Sequence, residues 1–158
     1  MDIIAEIIGR GSYSVACWRN EGIREFLEAK VPQLKGWYLG TINAKVISPQ
    51  RLNIKGINTN KTIEVKVPPI LYLKHSNSYK SEIEGCILSG VPEPYGAEIM
   101  KLVAVKFKIE SKMAETDGFL YIPSGSPNPE KGIVELITKE KLRQKYGISD
   151  GDKIIINL

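Results

Sequence analysis

Apolar and polar positions trade places along this chain in short blocks, and the blocks predict strands. Thr62-Ile63-Glu64-Val65-Lys66-Val67 alternates cleanly, as a half-exposed strand does. Ile99 to Ile109 is longer, with Val103, Val105, Phe107 and Ile109 set against Lys106 and Lys108. Asp2 to Ile8 is apolar and β-branched and reads as a strand, as do Tyr13–Trp18, Ile42–Ile47, Ile70–Leu73, Ile83–Val91, Phe119–Ile122, Ile133–Ile137 and Lys153–Leu158. Residues 50–61 are polar and predict a loop; residues 110–116 predict a charged loop, and Asp117-Gly118 a hairpin turn. Pro68-Pro69, Pro92-Glu93-Pro94 and the proline-rich Ser124–Pro129 break the pattern between blocks.

Only two segments carry helical spacing. Ile23, Phe26 and Leu27 form one apolar face of a helix over Gly22–Ala29, started by Asn20 or Glu21 and stopped by Pro32. Thr138 is a candidate N-cap for a helix over Lys139–Tyr146, with Leu142 and Tyr146 as its buried face. Gly147 stands where a left-handed C′ residue ends such a helix. Many short strands, two short helices and no strand–helix–strand alternation predict a mainly β, closed or nearly closed antiparallel barrel. No repeat or linker divides the chain, so residues 1–158 are read as a single domain.

Composition narrows the classes. An apolar fraction of 42% and a charged fraction of 25% suit a globular protein with a sizeable core. No apolar run is long enough for a membrane helix, and Met1-Asp2-Ile3-Ile4 lacks the basic start of a signal peptide. With Cys17 and Cys86 isolated, a cytoplasmic location with free thiols is the expectation. A single histidine, His75, removes histidine-rich metal sites and weakens any nucleophile–His–acid triad. The net charge of +4 is uneven: Lys30 to Lys80 holds nine Lys or Arg against Glu64 alone. A cationic half suits an anionic partner, or is simply a solvated lysine-rich face.

Three places hold candidate chemistry. Gly9-Arg10-Gly11-Ser12-Tyr13 follows the first strand and would let backbone N–H groups approach a phosphate; the plainer reading of the same residues is a tight hairpin turn needing positive φ. It meets neither the dinucleotide nor the P-loop fingerprint. In Gly36-Trp37-Tyr38-Leu39-Gly40-Thr41-Ile42-Asn43, Thr41 and Asn43 lie two apart on an extended backbone and share a face. They could hold a hydrated cation or hydrogen-bond a ligand, or be an ordinary strand start. Glu135 is an acid among the aliphatic residues of its strand, which on its own reads as an outward-facing strand residue.

The order of these pieces resembles the archaeal CTP-dependent riboflavin kinases. The resemblance rests on Ile7-Ile8-Gly9-Arg10-Gly11-Ser12-Tyr13, on Gly40-Thr41-Ile42-Asn43, and most of all on Glu135-Leu136-Ile137-Thr138-Lys139-Glu140-Lys141-Leu142-Arg143 with the later Asp150-Gly151-Asp152. It implies a cradle-loop, six-stranded β-barrel with two short helices. It implies that Thr41 and Asn43 hold Mg²⁺, and that Gly9, Arg10, Gly11, Ser12 and Tyr13 with Glu140, Lys141, Leu142 and Arg143 bind the nucleotide. It implies that Glu135 contacts the flavin as the catalytic carboxylate, and that the partners are CTP and riboflavin or FMN. The chain departs from the family in a shorter glycine turn and in the proline-rich Ser124–Pro129.

Three functions follow from this reading. One is Mg²⁺-dependent phosphoryl transfer from CTP to riboflavin. The second is a non-catalytic barrel of the same fold that binds a small ligand or nucleotide. The third is an RNA- or protein-binding module using the basic half, and the lack of a spaced aromatic platform among Trp37, Tyr38, Tyr72 and Tyr79 argues against nucleic acid.

Overall fold

Alternation along the strands sorts the side chains into two cores, one inside a barrel and one outside it. In the computed structural model, residues 1–9, 21–38, 40–67, 98–123 and 132–158 are described. They form β1 (Asp2–Ile7), helix α1 (Glu21–Lys30), β2 (Gly40–Ser48), β3 (Thr62–Val67), β4 (Glu98–Ile109), β5 (Ala114–Pro123), β6 (Ile133–Thr138), helix α2 (Leu142–Tyr146) and β7 (Lys153–Asn157). The expected strands at Tyr13–Trp18, Ile70–Leu73 and Ile83–Val91 lie outside these residues, as do His75, both cysteines and Ser124–Pro129.

The strands run β3-β4-β5-β6-β2-β1-β7, and β7 pairs back onto β4. Six antiparallel strands therefore close a barrel, with β3 attached to the outer half of β4. The length of β4 makes this possible. Its first part, 98–103, pairs with β3, and its last part, Lys106–Ile109, pairs with β7. A register shift between Ile4 and Ala5 in the β1–β2 pair adds local bend, as bulges do in closed sheets.

Ile3, Ala5, Ile7, Ala44, Val103, Val105, Phe107, Ile109, Leu120, Val134, Leu136, Ile154 and Ile156 fill the barrel. Ile54 and Ile57, from the 49–61 loop, add to this core, and Lys101 Nζ anchors the loop by donating to the carbonyls of Lys55 and Ile57. The alternate residues Leu102, Phe119, Tyr121 and Ile137 face outward and would be wet without cover. Leu27 of α1, with Val31, Leu34 and Trp37, closes over them as the second core. Burying a side chain such as Leu27, which is 0% exposed, contributes about 1.5–3 kcal/mol.

Three expectations are corrected. Asp117-Gly118 is not a turn: both residues lie within β5, opposite Lys106 and Val105. The chain reverses earlier, through a 3₁₀ turn at Glu110–Lys112, with Met113 taking the left-handed conformation (φ 48°). The strand resumes at Ala114, so the charged loop is shorter than expected. Gly118 is a glycine for space: a Cβ there would sit 2.8 Å from Phe107 Cε1 and 3.0 Å from the Ile137 carbonyl oxygen. Nor does Thr138 cap a helix. It ends β6, its hydroxyl donates to the Glu140 carbonyl, and α2 begins only at Leu142, with Lys141 at the N-cap position and no side-chain cap. Gly147 does end α2 in the left-handed conformation (φ 62°).

Candidate functional site

Thr41 and Asn43 lie on the outward side of β2, because Ile42 and Ala44 between and beside them enter the barrel core. Asn43 stands directly opposite Glu135 of β6, and Glu135 stands opposite Tyr121 of β5. The Asn43 carbonyl accepts from the Ile8 amide on the β1 side. In an antiparallel ladder the N–H and C=O of one residue point the same way, so Asn43 and Glu135 form a non-hydrogen-bonded pair, the kind whose side chains approach most closely. Both are buried, at 8% and 7% exposure. Asn43 Oδ1 has no hydrogen-bond partner among the described residues. A buried amide oxygen left unpaired costs about 1–3 kcal/mol, so its presence asks for a ligand or a reason.

One row further along β2, Thr41 stands opposite Ile137, which in turn neighbours Phe119. Phe119 meets the Trp37 ring at 5.2 Å. The polar pair thus sits at the margin of the outer core, with aromatic groups beside it.

The rim of the barrel joins this pair to the other candidates. Ile7 donates to the Asp152 carbonyl and accepts from the Gly151 amide, so the chain entering Gly9 runs between β2 and the Asp150–Asp152 turn. A Cβ on Gly9 would sit 3.4 Å from Asp150 Oδ2. Asp150 also holds Arg143 of α2, Nη2 to Oδ1 at 2.6 Å. Gly9, Arg143, Asn43 and Glu135 are therefore brought to one end of the barrel. Arg10, Gly11, Ser12 and Tyr13 lie outside the described residues.

Glu140 and Lys141 lie in the stretch between β6 and α2. Lys145 Nζ donates to Glu140 Oε1 at 2.6 Å. That hydrogen bond, reinforced by the lysine's charge and by Tyr146 Oη, holds the Glu140 carboxyl below the usual carboxylate range, and Glu140 raises Lys145 in return. Lys141 places its ammonium 5.8 Å from the Tyr38 ring centre. Leu142 is 2% exposed and packs into the barrel core, so its side chain seats α2. The cations of Lys30–Lys66 fall on α1, the segment that follows it, β2, the 49–61 loop and β3.

Several contributors were not picked out from the sequence. Tyr121 joins the site through strand register, for which no local signal exists. Asp150 enters the sequence reading only within the Asp150-Gly151-Asp152 run, with no role of its own. Arg24 had a signal in its i,i+4 spacing to Glu28, and the two groups are 3.8 Å apart.

No protein-family model and no curated protein matches this chain. Among the described residues, no helix is long and apolar enough to cross a membrane, and no cluster of three or more His, Cys, Asp or Glu side chains is placed to hold a metal. An unpaired amide oxygen and a neighbouring hydroxyl, Asn43 and Thr41, are of the type that hard divalent ions accept.

Proposed function

We propose that this protein transfers the γ-phosphoryl group of CTP to the ribityl hydroxyl of riboflavin, giving FMN and CDP, as archaeal CTP-dependent riboflavin kinases do. The observation that carries the reading is the buried, unpaired Oδ1 of Asn43, which shares a strand face with Thr41 and stands opposite Glu135. The sequence pieces that resemble that family support the same reading.

Thr41 and Asn43 would hold Mg²⁺. The ion would supply charge neutralisation to the transferring phosphoryl group, which is where most catalysis of this reaction type lies. Two neutral protein ligands leave room for water and nucleotide oxygens in an octahedral shell. Arg143 offers a guanidinium to phosphate oxygens, and Asp150 fixes where that guanidinium stands. Gly9, with no Cβ, lets a ligand reach the backbone beside it. Glu135 is the carboxylate assigned to the substrate hydroxyl, where it would accept the proton released on transfer.

The test is an assay of the purified full chain with riboflavin, Mg²⁺ and each nucleoside triphosphate in turn. FMN formed with CTP, and lost in EDTA, supports the reading. Absence of FMN with every donor rejects it. Tight flavin or nucleotide binding without turnover would mark a ligand-binding barrel of the same fold instead.

A further inference from the structure

The two residues that lead into the Thr41–Asn43 strand are held by a helix on the far side of the outer core. Trp37 and Tyr38 lie outside regular secondary structure, yet every backbone polar group they carry is engaged. The Trp37 amide donates to the Leu34 carbonyl at 3.0 Å, and the Tyr38 amide donates to the Lys139 carbonyl at 2.9 Å. Both carbonyls accept from one guanidinium: Arg24 Nη1 reaches the Trp37 oxygen at 2.9 Å and Nη2 the Tyr38 oxygen at 3.1 Å. Glu28, one turn further along α1, stands beside the same guanidinium. The Trp37 ring is fixed in turn against Phe119.

We infer that Arg24 is a positioning residue for the cation site, setting the entry of β2 so that the Thr41 hydroxyl and Asn43 amide oxygen converge on one point. This rests on the metal reading of Thr41 and Asn43. The physical argument is one of geometry. A planar guanidinium holds its donors on separate nitrogens in a fixed fork, and here two of those nitrogens serve two successive carbonyls; an ammonium carries its donors on one atom at the end of a flexible stem and lacks that fixed spacing. Ligating groups must be held within about 0.5 Å of their working positions, and that tolerance is met by the groups that orient them. Arg24 touches neither ligand, so its influence passes through the backbone of residues 37 and 38.

The experiment uses Mn²⁺ as a paramagnetic probe on the ¹⁵N-labelled full chain. Mn²⁺ near Asn43 broadens its side-chain amide signal, and the midpoint of that broadening reports affinity at the site. Arg24→Ala should raise the midpoint about tenfold or more, the usual effect of losing a group that orients a metal ligand. Arg24→Lys should fall between it and the parent. Phe26→Ala, which trims the same helix where it packs on the outer core but leaves Arg24 in place, should lower the melting temperature and keep the parent midpoint. A parent-like midpoint in Arg24→Ala overturns the inference, as does an equal shift in Phe26→Ala. No selective broadening in the parent rejects the metal reading itself, and the inference with it.

Discussion

Replacing Asn43 by Leu separates a ligand-binding role from a structural one. The two side chains are close in size, and Asn43 is only 8% exposed, so Leu fills the space without a cavity. Asn43 Oδ1 is desolvated and unpaired, a deficit of about 1–3 kcal/mol that the apolar side chain removes. In EDTA, Asn43→Leu should therefore be as stable as the parent or gain up to about 2 kcal/mol. For a domain of this size the full 2 kcal/mol is a rise of about 4–8 °C in melting temperature. Mg²⁺ with CTP should stabilise the parent by mass action and leave the variant unmoved. Urea and thermal unfolding, with and without Mg²⁺ and CTP, measure both effects, and FMN production should be lost. A variant destabilised by more than about 1 kcal/mol in EDTA would mean that the amide is a satisfied structural group, and the reasoning would be refuted.

Other outcomes follow from the same geometry. Glu135→Gln keeps size and register, so it should fold like the parent while transfer falls by about 10²–10⁴-fold; an unchanged rate would take the carboxylate out of the chemistry. Gly118→Ala drives a Cβ into the Phe107 ring and the Ile137 carbonyl, and should cost about 1–3 kcal/mol in urea unfolding. Its cost should shrink in a Phe107→Leu background, which a turn glycine would not show. The Glu140 carboxyl should titrate below the usual carboxylate range, by side-chain NMR, and move back up in Lys145→Met. Because its folded value is lowered, its share of stability is present above the ordinary carboxylate pKa and is lost as the pH falls through the lowered value. Lys145, raised by the same contact, contributes below the ordinary lysine pKa and loses that share as the pH rises through its raised value.

What could be read in advance was whatever depends on neighbours in sequence. The alternation of Thr62–Val67 and of Val103 to Ile109 gave those strands, and Gly147 gave the end of α2. Thr41 and Asn43 share a face because the strand period is two. The failures have equally specific causes. Asp117-Gly118 carries turn chemistry, but Gly118 is needed where a core ring and a neighbouring carbonyl come close, and that is visible only once β4, β5 and β6 are paired. The real reversal passes through Glu110–Met113, which contains no Gly, Pro or Asn to announce it. Thr138 offers a capping hydroxyl, but its strand runs on to pair with Gly40 and Gly118. The pairing of Asn43 with Glu135, 92 positions later, is a register fact that no local pattern encodes.

The central claim is best tested by following riboflavin, CTP and Mg²⁺ with the full chain, separating FMN from riboflavin and CDP from CTP by chromatography. FMN and CDP should appear in equal amounts, only with the divalent ion present, and not with Asn43→Leu. Hydrolysis of CTP without FMN, or no FMN with any nucleoside triphosphate, would contradict it.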